Sequence, residues 1–142
     1  MKKILIQIAK YMILLIIGGI IYYGVELLWR GHSHWTMMIV GGLSFIFCGI
    51  INEILSWNTP FWIQCIIGSI CITTIEFISG CIINLECGLG VWDYSNLPLN
   101  IMGQICILFS FFWVILGGVA IILDDWLRYW LFKEEKPRYK FF

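Results

Sequence analysis

The sequence predicts an all-α polytopic membrane protein, built as a bundle of four transmembrane helices in a single domain (residues 1–142). Of its 142 residues, 61% are hydrophobic and the mean hydropathy is +0.90. Only 13% are charged, against about 25% in a soluble domain. The charges are segregated, leaving apolar stretches that reach the roughly 18 residues typical of a spanning helix. The lipid bilayer is therefore the expected surroundings, and nucleic acid is not an expected partner.

The first predicted span covers residues 11–29. Lys2 and Lys3 precede it, as they would in a secretory signal, but the apolar run is longer than a usual signal core and ends without a small-residue cleavage site. We therefore expect it to remain in the mature protein. Glu26 and Arg30 lie four residues apart, which places them on one helix face where they can pair.

The middle of the chain contains two further spans. A polar connection at residues 30–36 turns the chain back into the second span, residues 37–55. The next turn is at 58–60, where Pro60 opens the third span, residues 61–85. Proline suits the first turn of a helix because the amide that it lacks has no intrahelical partner there.

The longest loop follows, at residues 86–100, and its aromatic and polar residues favour a structured lid over the mouth of the bundle. The fourth span is expected at 101–123, with Asp124 and Asp125 marking its exit from the membrane. In the tail, residues 124–142, aromatic and charged residues alternate at helical spacing over 124–132, which predicts an interfacial helix that continues from the last span. The basic cluster that follows should favour anionic lipid.

The distribution of basic residues predicts that both termini are cytoplasmic. Lys and Arg in short loops resist translocation, and Arg30 is the only basic residue in a connection between spans. The others stand near the termini: Lys2, Lys3, Lys10, Arg128, Lys133, Lys136, Arg138 and Lys140. The 30–36 and 86–100 connections then face outward.

Each predicted span carries a stripe of small and polar residues, which helices in lipid use to pack against one another. The stripes are Gly19, Tyr22 or Tyr23, Glu26 and Arg30 on the first span, Gly42, Gly49, Asn52 and Glu53 on the second, Cys65, Ser69, Thr73, Glu76, Gly80 and Asn84 on the third, and Gly103, Ser110, Gly117 and Asp124 on the fourth. We expect the four faces to meet in one interior.

Glu76 is the most unusual residue, because a charged group within a span costs about 2.5–3.5 kcal/mol on insertion scales. It should face inward, in the outer half of the bundle, at a depth that Arg30, Glu26, His32 or His34 can approach. A contact with Arg30 would also pair the only basic residue on the outer side. Two interpretations remain open. Glu76 fixes helix packing as an ion pair or a protonated carboxyl, or it contacts a substrate, a proton or a lipid headgroup.

His32 and His34 raise the hypothesis of a zinc or copper site, which Glu26, Glu76 or Asp93 would complete. Two histidines on a short loop are more often hydrogen-bonding or interfacial residues, so we expect no metal and no cofactor. Ser33 beside these histidines does not establish the geometry of a nucleophile and its base. We therefore expect no catalytic residue.

Several segments together resemble one known family. They are ELLWRGHSHWTM at 26–37, GGL at 41–43, NE at 52–53, TTIEF at 73–77, VWDYS at 91–95 and GQIC at 103–106. They are similar to the putative ABC-transporter type IV family of bacterial membrane proteins, whose members are often described as transporter permeases. The resemblance extends from Glu26 to Trp113.

The resemblance implies a permease-like subunit in the bacterial plasma membrane that binds a small polar or charged ligand in an outer pocket. The candidate ligand-binding residues are Glu26, Arg30, His32, His34, Glu76, Asn84, Trp92 and Asp93. The alternative is a non-transporting binding, accessory or sensor protein in which this cluster is structural. An enzyme acting on a membrane-bound substrate ranks third, and we expect no enzymatic activity. The chain lacks a G-x-x-x-x-G-K-[ST] motif, so a separate ATPase subunit would hydrolyse ATP. A chain of this size would form a homo-oligomer to line a pathway.

Overall fold

The structure is a computed structural model that describes residues 1–142. Its elements, in chain order, are α1 (Lys2–Arg30), α2 (Thr36–Ile54), α3 (Phe61–Gly80), a π-helical segment that continues α3 (Cys81–Glu86), β1 (Asn100–Ile101), β2 (Ile105–Cys106) and α4 (Ile107–Phe132). Four helices are long and apolar enough to cross a membrane. The predicted fold class, a four-helix membrane bundle, is confirmed.

The predicted start of the fourth span at residue 101 is wrong. Asn100 pairs with Cys106, and Ile101 with Ile105, in a small antiparallel hairpin. Its turn places Gly103 at φ +70°, a conformation that suits glycine because it has no Cβ. The hairpin satisfies backbone groups that a helix would otherwise use, so α4 begins at Ile107.

α4 continues to Phe132, as the helical spacing of the tail predicts. Asp124 and Asp125 lie within this helix, and both carboxylates are buried inside the bundle. Arg128 Nε donates to Asp124 Oδ2 at 2.5 Å. Asn52 Nδ2 and Tyr139 Oη donate to Asp125 Oδ2 at 2.6 and 2.9 Å. These partners offset the cost of burying the two carboxylates.

The two chain termini lie at the same end of the bundle. Lys10, near the start of α1, forms an ion pair with Glu134, just after α4. The tail then returns to the start of α3, where the amide of Phe61 donates to the carbonyl of Lys140 at 2.6 Å. We call this end the termini end, with residues 1–10, 55–60 and 133–142, and the opposite end the loop end, with residues 31–35 and 87–106.

Small residues bring the helices together. α1 packs mainly on α2, whereas α2, α3 and α4 pack on one another. Gly19 lies against the backbone of Met38, and Gly42 against the backbone of Leu15. Between α3 and α4, Ser69 Oγ donates to the carbonyl of Ser110 at 2.6 Å. The predicted stripes therefore meet in pairs, between α1 and α2 and between α3 and α4. Large apolar side chains cover much of the outer surface of the helices.

Candidate functional site

Glu76 lies on the inner face of α3 with a relative exposure of 7%. Tyr94 Oη donates to its Oε1 at 2.8 Å, and Trp113 Nε1 donates to its Oε2 at 3.0 Å. Both donors are neutral, and Glu76 takes part in no ion pair. A carboxylate offers about four lone-pair sites, so two hydrogen bonds leave accepting capacity free.

The predicted contact between Glu76 and Arg30 is wrong, because Arg30 is held elsewhere at the end of α1. Its Nη1 lies 3.4 Å from Glu26 Oε1, which confirms the predicted pair on one helix face. Its Nη2 donates to the carbonyl of Val91 at 2.7 Å. Ser33 Oγ donates to the other oxygen of Glu26 at 2.8 Å. Glu26 and Arg30 therefore hold the 31–35 loop, through Ser33, and the loop before the hairpin, through Val91, against the end of α1.

Asn84 and Trp92 fasten the long loop to the bundle. The amide of Asn84 donates to Gln104 Oε1 at 2.8 Å and accepts the amide hydrogen of Val91 at 2.7 Å. Trp92, which is buried, donates from Nε1 to the carbonyl of Gln104 at 3.0 Å. Gly80 makes room for this arrangement, since a Cβ there would lie 2.6 Å from Gln104 Oε1. The predicted structured lid over the loop end is confirmed.

Asp93 is exposed and closes a turn within the loop. It accepts hydrogen bonds from the backbone amide of Ser95, at 2.9 Å, and from the Ser95 hydroxyl. These bonds hold the pKa of the Asp93 carboxyl below its usual value. A Cβ on Gly103 would lie 2.6 Å from Asp93 Oδ1, so the hairpin packs closely against this turn. Asp93 makes no hydrogen bond to Glu26, Arg30 or Glu76.

The two histidines do not join the carboxylates. His34 Nδ1 lies 2.8 Å from Thr36 Oγ1, and its ring centroid is 5.5 Å from that of Trp35. His32 is exposed and makes no side-chain hydrogen bond. The structure holds no group of three or more His, Cys, Asp or Glu side chains arranged to bind a metal ion. The histidines therefore belong to the start of α2 and the surface of the loop end.

A cavity of about 130 Å³ opens beside Glu76, between α1, α2 and α4. The rings of Tyr22 and Trp113 form its walls near the carboxylate, with their centroids 6.3 Å apart. Tyr22 Oη also donates to Glu26 Oε1 at 3.4 Å, which connects the cavity wall to the Glu26–Arg30 pair. The remaining wall is apolar apart from Ser44.

Four residues of this region were not among the sequence-predicted site residues: Tyr22, Tyr94, Gln104 and Trp113. A signal existed for Trp113, which stands four residues before Gly117 and so shares its inward face. A buried indole N–H requires an acceptor, and Glu76 supplies it. Tyr94 lies in a loop, where no periodicity indicates which side chain turns inward.

One protein family has a model that matches nearly the whole chain. The model is described as "Putative ABC-transporter type IV", and the match covers residues 5–138. No curated protein and no solved structure matches the chain.

Proposed function

This chain belongs to the putative ABC-transporter type IV family, and on that premise we propose that it is a permease-like subunit that binds a small polar or charged ligand at the loop end. The observation that carries the proposal is the buried Glu76 carboxylate, which has two neutral donors, no cationic partner and a cavity beside it. An intramembrane ionisable group is costly unless it is paired. A ligand that brings a positive charge or a hydrogen-bond donor supplies such a partner.

The residues of the site divide between direct contact and positioning. Glu76 contacts the ligand, with the rings of Tyr22 and Trp113 as neighbouring walls. Glu26 positions Tyr22 through their hydrogen bond, and Arg30 holds the loop closed through the carbonyl of Val91.

We further propose that the loop end faces outward from the bacterial plasma membrane and that both termini are cytoplasmic. Basic residues concentrate at the termini end, and Arg30 is the exception among the connections. This imbalance sets orientation because Lys and Arg in short segments resist translocation. The ligand site then lies in the outer half of the bundle, near the side from which an importer receives its substrate.

The proposed partners are an ATPase on another polypeptide and further copies of this chain. An ATPase would contact the termini end, where the tail covers the 55–60 turn through the bond between Phe61 and Lys140. Further copies are needed because four helices enclosing a cavity of about 130 Å³ do not by themselves form a pathway across the membrane.

The second candidate function is a non-transporting binding, accessory or sensor protein. One observation favours it: the two hydrogen bonds of Glu76 join α3 to the long loop through Tyr94 and to α4 through Trp113. A carboxylate that ties three parts of the bundle together is also suited to a purely architectural role.

The experiment that separates the two functions is counterflow in proteoliposomes, which needs no ATPase. Vesicles are preloaded with unlabelled organic cations, amino acids or sugars, and the entry of each labelled compound is measured. We expect Glu76→Gln to reduce entry of the transported compound by about tenfold or more, because a hydrogen bond to a charged group contributes about 1.5–3 kcal/mol.

Glu86→Gln provides the matched control, because Glu86 is an exposed carboxylate near the same end with no side-chain hydrogen bond. Its counterflow should equal that of the parent. Absence of counterflow for every compound in the parent would favour the non-transporting function instead.

A further inference from the structure

The cavity beside Glu76 is open along the line between α1 and α4. α1 packs on α2 and barely touches α4. On either side of this line, the cavity-lining side chains remain accessible from outside the bundle: Ile21 on α1 is 41% exposed and Val119 on α4 is 55% exposed. These helices are apolar enough to span a membrane, so the opening faces the lipid. We call this opening the α1/α4 cleft.

The α1/α4 cleft is elongated and polar mainly at one end. Its wall on α4 runs from Trp113 to Leu123, which is about 15 Å of helix at roughly 1.5 Å per residue. The groups along that length are apolar: Leu116, Val119, Ala120 and Leu123 on α4, facing Gly18, Ile21 and Val25 on α1. Glu76 and Tyr22 lie at the end near Trp113. Such a shape suits a molecule with one polar head and one apolar chain.

The head that fits is positively charged. Glu76 has no cationic partner, and the nearby aromatic rings of Tyr22 and Trp113 have faces that attract cations. An anionic head has no comparable partner, because Arg30 is already engaged by Glu26 and by the carbonyl of Val91. A neutral head would leave the carboxylate without a counter-charge.

We propose that the ligand is a single-chain amphiphilic amine, which enters from the bilayer through the α1/α4 cleft, places its ammonium group at Glu76 between Tyr22 and Trp113, and lays its alkyl chain along α4 toward Leu123. This rests on the proposed function for the location of the site, and it adds the chemical class of the ligand and its route. The small volume of the cavity is the reason for one chain rather than two.

Photo-crosslinking in phosphatidylcholine nanodiscs tests the proposal. The probe is decylamine with a diazirine near the end of its chain, and mass spectrometry locates the labelled residues. We expect labels on the facing parts of α1 and α4, at residues 18–25 and 116–123. Unlabelled decylamine should compete at least about tenfold better than decanol, because the charged hydrogen bond to Glu76 is worth about 1.5–3 kcal/mol.

A second competitor identifies the source of the amine. Phosphatidylethanolamine offers an ammonium group on a two-chain lipid. Stronger competition by decylamine supports the single-chain ligand, whereas equal or stronger competition by phosphatidylethanolamine overturns that part of the proposal and assigns the cleft to a bilayer lipid.

Three variants test the contacts. Glu76→Gln should abolish the advantage of decylamine over decanol. Val119→Trp should fill the cleft and remove labelling while leaving Glu76 intact. Phe111→Trp is the matched control, because Phe111 lies on α4, is 65% exposed and does not line the cavity; its labelling should equal that of the parent. If Glu76→Gln does not fold, the proposal is still tested by Val119→Trp and by the competition of decylamine and decanol in the parent protein.

Labels spread over all lipid-facing surfaces, or equal competition by decanol and decylamine in the parent, would overturn the proposal. The outcome is separable from that of the counterflow experiment. Labelling without counterflow of any compound would contradict transport but keep the amine site, whereas counterflow of water-soluble compounds without labelling would keep transport and remove the amphiphilic ligand.

Discussion

Replacing Arg128 by alanine is expected to lower the free energy of unfolding by about 3–5 kcal/mol. The guanidinium is 2% exposed and its partner Asp124 is 0% exposed. Two further carboxylates lie close to Arg128 Nη1, those of Glu53 at 3.8 Å and Glu134 at 3.9 Å. Removing the cation leaves a buried carboxylate without its partner, which costs far more than the pair contributed. Unfolding of the detergent-solubilised protein, followed by tryptophan fluorescence, measures the loss.

Arg138→Ala is the matched control for this prediction. Arg138 pairs with Glu135 at 3.6 Å, but these side chains are 71% and 64% exposed, and an exposed pair contributes about 0–1 kcal/mol. The double variant Asp124→Asn/Arg128→Met, which removes both charges, should recover much of the stability lost in Arg128→Ala. Equal losses for Arg128→Ala and Arg138→Ala would show that the buried pair is not formed.

Alanine at Gly19 or at Gly42 is expected to destabilise the protein by about 1–3 kcal/mol each, as overpacking does. A Cβ on Gly19 would overlap the carbonyl oxygen of Met38, and one on Gly42 would lie 2.5 Å from the carbonyl oxygen of Leu15. Backbone atoms cannot rotate away as a side chain does, so α1 and α2 would have to separate. The apparent melting temperature of each variant in one detergent measures the effect.

Gly24→Ala is the control, because no atom of another helix or loop lies within 4 Å of the position that a Cβ would take there. Its melting temperature should stay equal to that of the parent or rise slightly, since alanine favours helix more than glycine does. If all three variants melted at the temperature of the parent, the close approach of α1 and α2 would be wrong.

The sequence predicted the helices well because their signals are local. Apolar runs and the stripes of small residues are visible along the chain, and the structure brings Gly19, Gly42 and Ser69 to the helix contacts where they were expected. The burial of Asp125 was not predictable for the opposite reason, since its partner Asn52 lies on another helix. The pairing of Asp124 with Arg128, four residues further along α4, does follow from helical spacing.

The candidate site was predictable in part. Glu26 and Arg30 pair because their spacing on a helix dictates it, and the inward position of Glu76 followed from the cost of exposing a carboxylate to lipid. The partners of Glu76 were not predictable, since Tyr94 reaches it from a loop and Trp113 from another helix. Side chains that meet across such distances along the chain leave no periodic pattern.

The structure does not bring all eight predicted site residues into one cluster, because proximity in sequence does not fix the direction of a side chain. His34 turns to Thr36, and Asp93 turns to Ser95, each bonding to a residue two positions further along. Short polar side chains in loops commonly form such local bonds. Their chemistry suggested a shared site, but their nearest partners are in their own turns.

Labelling of Cys87 in intact cells tests most directly the claim that the loop end, with its ligand site, faces outward. Cys87 is the one exposed cysteine, and it lies at the loop end. A membrane-impermeant maleimide should label the parent protein from outside, and Cys87→Ser should lose that labelling. Cysteine introduced at the exposed Asn58 of the termini end, in the Cys87→Ser background, should react only after permeabilisation. Labelling of Asn58→Cys in intact cells, with Cys87 of the parent protected until permeabilisation, would contradict the claim.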